Sequence, residues 1–152
     1  MSQKLLSFLR KKLLRRHQLQ KLWLKINGAE IEHGVTFYGK VHVAGNPRNI
    51  YIGERTSINE YVVLNARDKI VIGADCHISS GTKIVTTYLS ADLSDHLSAP
   101  IVIGDNCWIA AGVVVGAGVQ IVSGVTVGAN SVVLRSLQAP GLYAGAPARQ
   151  IR

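Results

Sequence analysis

The chain is 152 residues long, enough for one domain with a core of its own and short for two. Fifteen glycines, 6% aromatics and only 17% charged residues suit short strands and tight corners better than helices, and no run of about 18 or more apolar residues offers a membrane-spanning helix. The formal net charge of +8 is concentrated: residues 1–30 hold eight basic side chains against the single acid Glu30, whereas the rest hold nine against eight acids, so the body lacks the basic face that nucleic-acid binding requires.

The basic leader comes first. Residues 3–26 read as an amphipathic helix, with Leu5, Leu9 and Leu13 on one face and Leu19, Leu22, Trp23 and Ile26 forming another apolar stretch. It lacks the uninterrupted apolar core and small-residue cleavage site of a signal peptide, so a cytoplasmic location is expected. Three readings of residues 1–30 stay open: a cap on the body, a packing surface for a neighbouring chain, or a peripheral contact of residues 1–26 with anionic lipid at the inner membrane face. The division expected is Leu19 to Ile26 as cap, with the more basic first half free to touch membrane.

From residue 31 to 138 the chain repeats every six positions. Ile31, Phe37 and Val43 begin a series continued by Ile52, Ile58, Leu64, Ile72, Ile78 and Ile84, then by Ile103, Ile109, Val115, Ile121, Val127 and Val133. Four residues after them stands a second set, mostly small or β-branched, including Val35, Thr56, Val62, Cys76, Thr82, Cys107 and Val113. A period of six matches neither a helix nor an indefinite strand alternation. It matches a short strand plus a corner, so three hexads make one triangular turn with the aliphatics inside. Fifteen hexads predict about five coils of a parallel β-helix.

Three interruptions break the count. Extra residues occur around Gly45-Asn46-Pro47 and after the hexad at Leu64, and thirteen more leave the coil between Ile84 and Ile103. The last insertion, Tyr88 to Pro100, is expected to protrude as a loop that carries function. Residues 139–152 form a tail beyond the repeat.

Three stretches are specific: Pro100-Ile-Val-Ile-Gly-Asp-Asn-Cys-Trp-Ile-Ala-Ala-Gly, Gly124-Val-Thr-Val-Gly-Ala-Asn-Ser-Val-Val, and Ala144-Gly-Ala-Pro-Ala-Arg-Gln-Ile-Arg. In them the chain resembles the hexapeptide-repeat acyltransferases, the left-handed β-helix family that includes maltose, galactoside and polysaccharide O-acetyltransferases. The resemblance implies an all-β, left-handed parallel β-helix, a homotrimer with active sites between subunits, acetyl-CoA as co-substrate, and a sugar or glycan acceptor. It implies a family asparagine at Asn59, a weaker substrate contact at Asn65, and CoA contacts at Ala111, Ala129, Leu134, Arg135, Arg149 and Arg152. Arg135 stands where the family usually has Lys, and it, Arg149 and Arg152 could clamp phosphates. Arg67 replaces an acidic residue of the galactoside-type enzymes, which leaves the acceptor open.

Acetyl transfer from a thioester to a hydroxyl needs a base, donors for the oxyanion and a cationic phosphate pocket. The family's catalytic His slot falls here on Leu89, and the slot of the related serine acetyltransferases falls on Ala66. Two histidines are the candidate bases. His96 lies in the protruding loop, where Asp92 or Asp95 could orient it. His77 shares an outward column with Ser57 and Trp108, which is itself a candidate substrate contact.

Cys76 and Cys107 occupy inward corner positions on neighbouring coils and are expected to be free thiols. A zinc site like that of the γ-class carbonic anhydrases is not expected: His42 and His77 are suitably spaced, but Thr82 stands where the third ligand would be. The expected activity is an acetyl-CoA-dependent O-acetyltransferase in surface-polysaccharide synthesis. The alternative is a catalytically silent β-helix that scaffolds or binds.

Overall fold

The computed structural model describes residues 18–152. Their short strands stack into three parallel sheets that form the faces of a triangular prism. The first face holds Glu30–Ile31, Ile50–Ile52, Ile70–Ile72, Ile101–Ile103 and Gln120–Ile121. The second holds Thr36–Phe37, Ser57–Ile58, His77–Ile78, Trp108–Ile109, Val125–Val127 and Gly141–Ala144, with Arg149–Gln150 folded back antiparallel on its end. The third holds His42–Gly45, Val63–Ala66, Lys83–Val85, Val114–Val115 and Val132–Val133.

The aliphatics of the six-residue series point inward and stack in register: Ile52 on Ile72 on Ile103, Ile58 on Ile78 on Ile109, and Leu64 on Ile84 on Val115. All nine are 0% exposed, so the prism interior is one dry column from coil to coil. The small residue just after an inward aliphatic and the residue three after it serve different needs. A Cβ on Gly53 would lie 2.6 Å from the carbonyl carbon of Gly73, so this glycine permits coil-to-coil approach. The left-handed corner conformation falls two residues later, at Arg55, Asp75 and Asn106, with φ of 55°, 55° and 53°.

Five full coils are followed by a sixth, partial turn that the hexad count does not reach. Leu137 bridges in parallel to Ile121, and Tyr143 pairs with Val127. Both are buried, and Tyr143 Oη donates to the carbonyl of Ala139 at 2.9 Å. The first residues of the expected tail therefore extend the second face.

Residues 18–26 are helical; the rest of the leader expected to be helical, with Leu5, Leu9 and Leu13, lies outside the described residues. This helix lies against the first coil by a different side from the one its large apolar residues suggest. Leu24 is wholly buried, Lys21 Nζ donates to the Val35 carbonyl at 2.7 Å, and the Gln20 amide donates to the carbonyl of Val41 and accepts from its N–H. These bonds occupy backbone groups that an end coil would otherwise leave open to another strand. Leu19, Leu22, Trp23 and Ile26, at helical spacing, are 53–74% exposed on the opposite side. Among the described residues no helix is long and apolar enough to cross a membrane.

Candidate active site

The insertion between Ile84 and Ile103 is a β-hairpin. Thr87–Leu89 pairs antiparallel with His96–Ser98, and the register sets Leu89 directly opposite His96. Directly opposed residues project from the same side of such a ribbon, with Cβ atoms about 5 Å apart. The imidazole therefore shares a side with the position where the resemblance places the family's base. Asp92 does not orient that imidazole. Its Oδ1 accepts from Ser90 Oγ at 2.5 Å, from Ser94 Oγ at 2.9 Å and from Ser94 N at 3.2 Å, bonds that hold its carboxyl down at about 2. Asp95 accepts from Ser94 Oγ at 3.2 Å.

Asp92 thus organises the hairpin tip, and Leu93 beside it takes a left-handed φ of 60°. Because the carboxyl is depressed below the ordinary value of about 3.9, its contribution is complete above that value and is lost as pH falls through about 2. Asp92→Ala is expected to speed amide exchange at Ser94 and Asp95 by about tenfold without shifting the global unfolding midpoint, readable by hydrogen-exchange mass spectrometry. The hairpin base is tied down separately. Thr86 Oγ1 donates to the Asn65 carbonyl at 2.7 Å and accepts from Asp68 N at 3.1 Å, and the Asn65 amide donates to Thr87 Oγ1 at 3.3 Å. Asn65 is therefore an anchor of the hairpin.

The other candidates lie on the second face. Ser57, His77 and Trp108 are in register in one outward column. Ser57 Oγ is 2.8 Å from His77 Nδ1. The nearest carboxylate along the chain, Asp75, is committed elsewhere: Arg55 donates to it through Nε at 2.7 Å and Nη2 at 2.6 Å, and that pairing holds its carboxyl below the usual range. Trp108 Nε1 donates to Ser79 Oγ at 3.1 Å, which fixes the indole although half of it is exposed. Asn59, beside this column, donates to the Ile78 carbonyl at 3.2 Å.

The hairpin and this column do not meet within one chain. The hairpin leaves the corner between the third and first faces, and in a triangular prism that corner is opposite the second face. Ala111 and Ala129 lie exposed along the corner between the second and third faces, Leu134 and Arg135 at the exposed end of the third. Arg149 sits on the last strand, with Arg152 exposed at the chain end.

His42 and His77 are on different faces, and the described residues contain no cluster of three or more possible metal ligands. Thr82, at the third position of that pattern, is buried and donates to the Ala110 carbonyl at 3.1 Å. Cys76 and Cys107 are free and buried; Cys76 Sγ donates to the Gly104 carbonyl at 3.0 Å, and the neighbouring Cys107 thiol, then burial, raises the Cys76 thiol well above its ordinary range, which keeps it protonated.

Comparison with known proteins places these features in context. Residues 100–135 match the family described as bacterial transferase hexapeptide (six repeats). The chain is 35% identical over 136 residues to WcaF of Escherichia coli, provisionally named a colanic acid biosynthesis acetyltransferase, covering 85% of this chain and 71% of WcaF. It is also 35% identical over 109 residues to the yeast protein YJL218W, provisionally named an acetyltransferase; there the match covers 68% of this chain but spans only 56% of the relative's length. Among solved structures, the hexapeptide-repeat acetyltransferase VCA0836 of Vibrio cholerae superposes with a TM-score of 0.77 at 29% identity, covering 93% of this chain and 90% of its own. In its complex with acetyl coenzyme A the TM-score is 0.71 at 32% identity, covering 79% and 70%.

Proposed function

Because this chain belongs to the hexapeptide-repeat transferase family of left-handed β-helices, we propose that it moves acetyl from acetyl-CoA to a hydroxyl of a sugar or glycan precursor, in the synthesis of a surface polysaccharide. The acetyl donor is supported by the acetyl coenzyme A complex of VCA0836, and the polysaccharide setting by the name of WcaF. The observation that carries the reading is His96, held by the hairpin register on the side of Leu89. Its imidazole takes the proton from the acceptor hydroxyl as the oxygen attacks the thioester carbonyl, and returns it to the departing CoA thiolate. Backbone N–H groups near Ala111 hold the developing oxyanion. Arg135, Arg149 and Arg152 are exposed, and their guanidinium groups supply the positive charge to pair with CoA phosphates, Arg149 while Nη1 donates to the Ala148 carbonyl at 2.9 Å.

The reaction requires more than one copy of the chain. A base opposite the second face reaches Trp108 and Asn59 only when the hairpin of one copy lies on the second face of another. The exposed Tyr88, Leu89, Leu93 and Leu97 of the hairpin supply apolar surface for that contact. Closed three-fold packing of the prisms, as in the homotrimers of the resembled family, would form three such sites.

The test is thiol release from acetyl-CoA against a panel of sugars and glycan precursors, with the product identified by mass. Sugar-dependent release supports the reading; none across a broad panel sinks it in favour of a silent scaffold. At the leader, the exposed stripe Leu19, Leu22, Trp23 and Ile26, with the basic excess of residues 1–30, favours contact with an anionic membrane face. The chain is expected to sediment with vesicles containing anionic lipid and not with neutral ones, and Leu22→Ser with Trp23→Ser is expected to abolish sedimentation. Equal sedimentation of that variant would retire the membrane reading.

A further inference from the structure

Ser57 is 8% exposed, and among the described residues the hydroxyl has a single hydrogen-bond partner, His77 Nδ1 at 2.8 Å. Two arrangements of protons fit that distance. In the first, Nδ1–H donates to Ser57 Oγ, and the hydroxyl proton then has no acceptor among the described residues, which leaves a buried donor uncompensated for its lost hydration. In the second, the hydroxyl donates to Nδ1, so the buried proton is paired, and the ring proton resides on Nε2 of the exposed His77. Asp75, the nearest carboxylate along the chain, makes no hydrogen bond to the ring: its Oδ1 accepts from Arg55 Nε at 2.7 Å and its Oδ2 from Arg55 Nη2 at 2.6 Å.

From this geometry we infer that Ser57 is a positioning residue that holds His77 as the Nε2–H tautomer, so that His77 donates a hydrogen bond to an oxygen of the acceptor and does not remove its proton. The inference rests on the acetyl-transfer reading and deepens it by dividing labour between the two histidines. His96, exposed on the second hairpin strand, has no side-chain hydrogen-bond partner among the described residues, so both ring nitrogens remain open to the acceptor.

The next residue in the column indicates what the donor addresses. The edge of Trp108 is satisfied by Ser79, so the exposed part of the indole is its apolar surface. The negative face of an aromatic ring suits the weakly positive C–H face of a pyranose. One coil away on the same column, His77 Nε2–H is then within reach of a hydroxyl or ring oxygen of the same sugar, adjacent coils being about 4.8 Å apart. The ligand class is a neutral pyranose, bound by one aromatic face and one neutral donor.

Two readouts test this. Long-range proton–nitrogen NMR of the imidazoles at about pH 8, where a histidine is neutral, is expected to give the Nε2–H tautomer for His77 in the wild type, a mixture in Ser57→Ala, and recovery in Ser57→Thr. An Nδ1–H tautomer in the wild type overturns the positioning role. In steady-state kinetics Ser57→Ala and His77→Phe are expected to raise the KM for the sugar about tenfold, with kcat and the KM for acetyl-CoA within about twofold, and Ser57→Thr is expected to restore the sugar KM. A fall in kcat at unchanged sugar KM would make His77 a base and overturn the division of labour. Wild-type protein that acetylates no sugar overturns the function and the acceptor role together, whereas the NMR result decides the Ser57–His77 tautomer by itself.

Discussion

Replacing His96 with alanine is expected to lower kcat/KM for acetyl transfer by about 100-fold or more, the usual contribution of a positioned general base. The loss should fall on kcat, with the KM for acetyl-CoA unchanged, because the hairpin carries none of the residues expected to meet the nucleotide. A second variant guards against an indirect effect through the loop. Leu89 and His96 are directly opposed in the ribbon, so adding Leu89→His to His96→Ala returns an imidazole to the same side of the hairpin and is expected to recover about tenfold of the loss. Full activity in His96→Ala would remove His96 from the mechanism, and a loss that Leu89→His does not relieve would leave the base assignment without its geometric support.

The second large effect is on stability. Ile78 is wholly buried at the middle of the prism, with Ile58 stacked on one side and Ile109 on the other. Ile78→Ala removes contacts to both neighbouring coils, and a close-packed column has little room to collapse into the space. A destabilisation of about 2–5 kcal/mol is expected, measured as a shift in urea midpoint at fixed protein concentration, since an oligomer's stability depends on concentration. Leu137→Ala should cost less, because Leu137 belongs to the partial last turn and stacks on Ile121 alone. Equal losses at the two positions would contradict nearest-neighbour stacking as the source of stability.

Much of this architecture is legible in the sequence because a period of six leaves few alternatives. The fifteen apolar residues of the series, the protruding segment and the column of Ser57, His77 and Trp108 all follow from counting. The sixth turn does not, because Leu137 and Tyr143 follow Ile121 and Val127 at sixteen residues and so fall outside the hexad count. The leader misleads for a different reason. Leu19, Leu22, Trp23 and Ile26 have the spacing of a buried stripe, but the end coil needs hydrogen-bond partners for Val35 and Val41, and Gln20 and Lys21 meet that need with Leu24 between them. At the site, the pairing of Leu89 with His96 depends on the turn that Ser90, Asp92 and Ser94 build, and no periodicity encodes it. The bond between Ser57 and His77 was absent from the pattern too: a shared column places two residues side by side without saying which atoms meet.

The corner that carries the hairpin has a consequence for how such a protein can change. Thirteen residues enter between one coil and the next, yet Ile70 still opposes Ile101, Ile72 still opposes Ile103, and Ile84 still opposes Val115. The prism does not register how much chain passes through that port. Selection can therefore lengthen, shorten or exchange the hairpin, and with it the reactive imidazole, without renegotiating a single core contact. Chemistry and architecture are inherited here as separate parts, and a transplanted hairpin at the same corner is the natural unit for redesigning which hydroxyl is acylated.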